Sequence, residues 1–264
     1  MEIKRAVSLY FSPTGGTHKT VQAVAKGLGA AEQLELDRTS FDSRWAGETL
    51  REGDVAVIGV PVYYGRVPNL MVEFFRYIES NQIPAVLVVV YGNRAYEDAL
   101  LELKDESIKH GFLPIAAGAF IGRHSFTDKL GGGRPDRDDL SAAEQLGRDA
   151  AALLAGQDPA SLNLTVPGTF PYHPATDLPI APATDLSKCI GCMTCQKNCP
   201  VQAINPLDVS ETDGWRCLLC AKCIQACPKG AKYIGAAPLQ EKIMIMEAMF
   251  SSPKQPELFL AQPL

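Results

Sequence analysis

Apolar residues up to Ala155 fall into two alternating patterns. Ala6–Phe11 (AVSLYF), Asp54–Pro61 (DVAVIGVP) and Ala85–Tyr91 (AVLVVVY) are short, nearly continuous β-rich runs, as expected of strands covered on both faces. Gln33–Leu36 is a weaker run of the same kind, and Ile115–Ile121 supplies a fifth. Between these runs the apolar positions recur at helical spacing. Val21, Val24, Ala25 and Leu28 mark one helix, stopped by Gly29. Further helices are predicted over about Asn69 to Glu79, Tyr96 to His110 and Ser141 to Ala155. Strands alternating with helices predict an α/β fold with a doubly wound, five-stranded parallel sheet. Right-handed crossovers leave few topologies, and the order 2-1-3-4-5 fits best.

The pattern breaks after Gly156. Residues 157–183 include PGTFPYHPATDLPIAPA, which is proline-rich and aperiodic, and read as a semi-rigid linker. Residues 1–156 are therefore expected to form one domain, and a chain ending near Gly156 to fold alone. Residues 184–237 form a second, small α+β domain. Residues 238–264 are read as a terminal helix, about Leu239 to Phe250, and a tail that packs back on a domain.

All eight cysteines lie in that second domain. Cys189, Cys192, Cys195 and Cys199-Pro200 spell C-x-x-C-x-x-C-x-x-x-C-P, and Cys217, Cys220, Cys223 and Cys227-Pro228 repeat it 28 residues later. Three cysteines at intervals of three aim their thiolates at one cuboidal cluster, and the fourth, before proline, ligates the cluster of the other run. Zinc favours two C-x-x-C pairs with a longer spacer. Disulfide frameworks belong to small secreted domains, and Met1–Arg5 leads directly into a strand with no signal-peptide pattern. Two 4Fe–4S clusters are the expectation.

Composition narrows the partners. Apolar residues make up 46% and charged residues 21%, ordinary for a globular protein. The net charge of -5, with no basic run longer than two residues, gives no support for nucleic-acid binding. The longest apolar segment, near Ile83–Tyr91, is far short of the roughly 20 residues a bilayer requires. Thiolates committed to iron suggest a cytoplasmic, low-oxygen setting.

Ligands of an open parallel sheet bind beyond the carboxyl ends of its strands. Ser12-Pro13-Thr14-Gly15-Gly16-Thr17 follows the first strand and opens a helix, so hydroxyls, amides and a helix N-terminus can cradle a phosphate. Gly-Lys-Ser/Thr is absent, which excludes a Walker loop. This segment resembles the S/T-x-T-G-x-T loop of flavodoxins. The whole chain resembles a flavodoxin–ferredoxin fusion, with a bacterial-type two-cluster ferredoxin module at its C-terminal side.

The resemblance implies FMN. Ser12, Thr14, Gly15, Gly16 and Thr17 would then hold its phosphate. Pro61-Val62-Tyr63-Tyr64-Gly65-Arg66 would be the first flavin loop, with Tyr64 stacking on one face and Gly65 turning its carbonyl toward N5. Gly92-Asn93-Arg94-Ala95-Tyr96 would be the second, with Tyr96 on the opposite face. Flavodoxin loops are acidic; Arg66, Asn93 and Arg94 here imply a less negative flavin potential. The loop Gly122–Phe126 leaves strand five on the same edge, where His124 is a structural histidine or a site residue.

No complete G-x-G-x-x-G occurs, so no nicotinamide site is expected. The reading is an electron-transfer protein passing electrons between two 4Fe–4S clusters and FMN, and on to a redox partner protein. The alternative is an FMN-dependent reductase of a small-molecule acceptor fed by the ferredoxin domain.

Overall fold

The computed structural model describes the chain except residues 71, 72, 74, 76 and 175–178. Five parallel strands form the centre: β1 Arg5–Tyr10, β2 Glu32–Asp37, β3 Asp54–Pro61, β4 Ile83–Tyr91 and β5 Phe112–Ile121. Their order is β2-β1-β3-β4-β5, as the pattern predicted, and a sixth strand extends the sheet at the β5 edge. The helices are α1 Gly16–Gly27, α2 Ala99–Lys109 and α3 Arg137–Gly156 in the first half, with α4 Thr194–Lys197, α5 Lys222–Gln225 and α6 Ala237–Met249 beyond. Of the helix expected over Asn69–Glu79, residues 71, 72, 74 and 76 lie outside the described residues, and its expected end, Ile78–Glu79, is instead a short strand paired in parallel with Glu48–Thr49.

β4 is buried from end to end, and the period of two divides it between the layers. Ala85, Leu87, Val89 and Tyr91 join the layer under α2, with Leu100 and Leu103. Val86, Val88 and Val90 join the opposite layer, with Val21 and Val24 of α1 and Leu146 and Ala150 of α3. Helices α1 and α3 touch backbone to backbone. A Cβ on Gly147 would stand 2.1 Å from the Val24 carbonyl oxygen, and one on Gly27 2.1 Å from that of Glu144. Gly147→Ala is therefore expected to destabilise the fold by about 3 kcal/mol through overpacking. That outweighs the roughly 1 kcal/mol alanine gains over glycine within a helix. The check is a lower urea midpoint at unchanged slope.

The tail packs back on the first domain, as expected, whereas the proline-rich segment differs from its expected role. Glu257–Leu260, here β6, pairs antiparallel with β5, Glu257 opposite Ala119 and Leu260 opposite Ala116. The edge of β5 would otherwise offer unpaired backbone groups. Ala261 is buried in the α2-side core beside Leu164 and Val166, which come from the segment read as a linker. That segment is also tied down polar group by polar group. The Asp98 carboxylate accepts from the amides of Thr169 and His173 at 2.8 and 2.7 Å. Tyr172 Oη donates to Asp105 at 2.7 Å. Proline excludes these residues from regular ladders but not from packing.

The cysteine module repeats its backbone with the 28-residue period of its sequence. Met193 and Ala221 both have left-handed φ, 61° and 58°, immediately before α4 and α5. The Cys189 amide donates to Asp185 O, and the Cys217 amide to Asp213 O, at 3.0 and 3.1 Å. Strand pairing crosses between the halves. Thr184 pairs with Lys232, and Ile204 with Thr212. The segment preceding each run thus meets the segment following the other, and the two runs fold as one unit.

Candidate functional site

A cavity of about 730 Å³ lies beyond the carboxyl ends of β1, β3, β4 and β5. Its size is ordinary for a cofactor pocket, roughly 300–1,000 Å³. One end is built by the turn between β1 and α1, where Thr14, Gly16, Thr17 and Lys19 line it. Gly15 holds φ +85°, and the turn delivers the chain into α1 at Gly16. Ser12 and Gly15 are not among the lining residues; Ser12 builds the turn instead. Its Oγ accepts from the His18 amide and its own amide donates to Thr39 Oγ1, both at 2.9 Å. The His18 amide is taken by Ser12 and the Lys19 amide by Gly15 O at 3.2 Å, so of the amides opening the helix those of Gly16 and Thr17 remain for an anion.

The middle of the cavity is walled by two loops. Pro61, Tyr63, Tyr64 and Gly65 come from the loop after β3. Tyr64 and Gly65 both have left-handed φ, 52° and 77°. A side chain on Gly65 would collide with Glu97, whose Oε2 would lie 1.8 Å from its Cβ. Tyr91, Gly92, Arg94 and Glu97 face these residues from the loop after β4. The Tyr64 hydroxyl is buried and has no hydrogen-bond partner among the described residues. An amide-rich anion cradle at one end, an aromatic slot and an orphaned hydroxyl fit a flat, phosphate-bearing ligand, and FMN has those features.

Three residues read as flavin contacts lie outside the cavity lining. Asn93 is buried with φ 61°, and its Nδ2 donates to Phe250 O and Ser252 O at 2.6 and 3.0 Å. Its Oδ1 accepts from the Lys254 amide at 3.2 Å, so Asn93 anchors the chain entering β6. Tyr96 is buried against Tyr91 and donates to Glu257 Oε2 at 2.9 Å, also holding β6. Arg66 clasps Glu102 with two nitrogens, at 2.7 and 2.6 Å, and donates to His173 O at 2.5 Å. Arg94 does line the cavity, paired with Glu97 at 2.6 Å. The loops are therefore not the uncompensated basic surface their sequence implied.

Loop position had put His124 at this edge, and it reaches the cavity; the residues it did not disclose lie on α6 and between two cysteines. His124 lies against Gly92, where a Cβ would stand 2.5 Å from its Cδ2. Burial, with Arg94 adding to it, pushes its imidazole down to about 4. Its Nδ1 accepts from the Phe126 amide at 3.2 Å, which leaves the proton on Nε2. Leu239, Lys242 and Met246 project from α6, with Lys242 Nζ 5.4 Å from the Tyr64 ring centroid. Their spacing of three and four places them on one helix face, the available signal. Leu218 and Leu219, between Cys217 and Cys220, complete the wall.

The cysteines sort across the runs. A second cavity is lined by Cys189, Cys192 and Cys195 together with Cys227. Burial raises the Cys217 thiol, and Cys199 adds to it. Burial likewise pushes Cys220 and Cys223 up to about 12, with Cys199 among the contributing thiols for both. No three Cys, His or acidic side chains converge on a single-ion site among the described residues. The amides of Ala203 and Ala231 donate to the Sγ of Cys199 and Cys227, each at 3.2 Å. Between the two sets, buried Lys232 donates to Val209 O at 2.7 Å and Thr212 Oγ1 at 3.3 Å.

The second set borders the large cavity. Leu218 packs against the α2-side core, and burial, then Cys220 and Cys217, raises the Tyr63 hydroxyl well above its usual range. Cys192 of the first set is exposed.

Residues 188–231 match the 4Fe-4S dicluster domain family. No curated protein matches the chain in sequence. Similar solved structures include an archaeal flavodoxin, 15% identical, over 57% of this chain and 99% of that one, with a TM-score of 0.41. A WrbA-like flavodoxin from Agrobacterium tumefaciens is 17% identical over 59% of this chain and 99% of its own, TM-score 0.39. The rubredoxin:oxygen oxidoreductase of Desulfovibrio gigas is 12% identical over 58% of this chain and 36% of its own, TM-score 0.41. The strand order places the first half in the flavodoxin fold, and an iron–sulfur dicluster domain follows it. Among the described residues no helix is long and apolar enough to cross a membrane.

Proposed function

We propose that the chain is an electron-transfer flavo-iron–sulfur protein. FMN occupies the large cavity, and two 4Fe–4S clusters are held by Cys189, Cys192, Cys195 with Cys227, and by Cys217, Cys220, Cys223 with Cys199. Bound there, FMN exchanges one or two electrons and the clusters exchange single electrons, so together they interconvert the two currencies. One observation carries the reading: Leu218 and Leu219, flanked by Cys217 and Cys220, line the same cavity as Thr14, Thr17 and Tyr64.

The chain's own residues hold the site. The Gly16 and Thr17 amides that open α1, with the hydroxyls of Thr14 and Thr17, take the phosphate. Tyr64 and Tyr91 flank the ring. Leu239 and Met246 of α6 cover the mouth and limit the entry of water and small oxidants. The partners are then other redox proteins, in the cytoplasm.

The second reading, a reductase of a small acceptor, draws support from His124, whose Nε2–H is a neutral donor within the cavity. The two separate on reoxidation. For a carrier, chemically reduced protein is reoxidised by small oxidants no faster than free reduced FMN. Faster reoxidation by one such oxidant establishes the reductase.

The Arg94–Glu97 pair sets a second expectation. Both side chains are about a third exposed, so screening tempers their influence. Glu97→Gln leaves the Arg94 charge uncompensated and should raise the flavin potential by tens of millivolts at low salt; Arg94→Gln should lower it. A spectroelectrochemical titration in which both variants match the parent would place the pair away from the ring.

A further inference from the structure

The 28-residue repeat gives the cysteine module two related faces, and the molecule covers only one. In the second run, Leu218 is packed against the core, Leu219 is buried at the cavity wall and Cys220 is buried. The corresponding first-run residues, Ile190, Gly191 and Cys192, are open to solvent. Ile190 is 62% exposed and nearby Leu186 69% exposed. Resting on the reading above, we infer that this open face docks an acidic one-electron redox protein, as its counterpart docks on the flavin cavity.

Two features identify the occupant. Apolar Leu186 and Ile190 sit where the covered face uses apolar Leu218 for its contact. Charge supplies the sign. No acidic residue occurs between Leu186 and Pro206 or between Gly214 and Gln240, although the chain as a whole carries -5. Lys188 and Lys197 flank this run's cysteines, Lys229 lines the same cavity beside Cys227, and all three are exposed. Lys188 meets Asp185 at 3.0 Å, and Lys197 and Lys229 form no ion pair among the described residues. A basic rim around an apolar centre selects a partner of opposite charge and speeds encounter. The exchange served is one electron, with no bond made or broken: the partner is oxidised as this chain is reduced, or the reverse.

The test is calorimetric titration of the full, cofactor-loaded chain with a small acidic ferredoxin, and with a basic c-type cytochrome of similar size. The ferredoxin should bind, weaken steeply between low and high salt, and bind more tightly than the cytochrome. The triple variant K188E/K197E/K229E and, separately, Ile190→Asp should each weaken binding at least tenfold. Charge reversal elsewhere, Arg216→Glu or Lys109→Glu, should leave it within twofold. Preference for the cytochrome, no binding, or equal loss from the Arg216 or Lys109 variants overturns the docking assignment. Iron, sulfide and flavin are measured on every sample. Binding is compared only among fully loaded variants, and the salt dependence and ferredoxin-over-cytochrome preference of the unaltered chain decide the matter if a variant fails to load. A parent chain without those groups overturns the electron-transfer reading itself.

Discussion

A chain truncated after Gly156 is expected to lose cooperative folding, although its sequence reads as a complete domain. Truncation strips β6 from the β5 edge and removes Leu164, Val166 and Ala261 from the α2-side core. It also orphans polar groups that remain. Asn93 loses the three hydrogen bonds it makes to residues 250–254. Asp98 loses both amides it accepts, and Tyr96 its carboxylate. Each buried group left unsatisfied costs about 1–3 kcal/mol. The total rivals the whole stability of a domain, about 5–15 kcal/mol. Circular dichroism and urea unfolding check this. A cooperative transition at the full chain's midpoint would show that the tail adds nothing.

Cys199→Ala is expected to remove the cluster beside the flavin cavity and spare the other. Cys199 lies in the first run, but it is among the thiols that raise Cys217, Cys220 and Cys223, while Cys227 lines the first-run cavity. Iron should fall from about eight to about four per chain, and the remaining paramagnetic signal should belong to the first-run set. Cys227→Ala should give the mirror result. If Cys199→Ala instead abolishes the cluster of Cys189, Cys192 and Cys195, ligation is not crossed.

The parallel core was legible because buried strands leave continuous apolar runs, and DVAVIGVP and AVLVVVY admit little else. The strand ELFL was not. It is four residues long and mostly exposed, and it is a strand because β5 offers it an unpaired edge. Proline content correctly signalled irregular backbone after Gly156 but carried no information on burial, which Leu164 and Val166 decide.

In the site, the turn Ser12–Thr17 was readable because glycine and hydroxyl residues follow the first strand. Side-chain direction was not readable. The left-handed φ at Asn93 accompanies an amide bonded to the tail, and Arg66 is drawn away by Glu102, 36 residues on. The α6 wall was hidden because it is separated in sequence from the sheet by the whole cysteine module.

The central claim is most directly tested by anaerobic purification of the full chain, followed by iron, sulfide and flavin analysis and a redox titration. The account predicts about eight iron, eight sulfide and one FMN per chain. Flavin should be displaced when the phosphate turn is filled by Gly16→Glu. Zinc in place of iron, a single cluster, FAD, or a protein that takes up no flavin at all would contradict it.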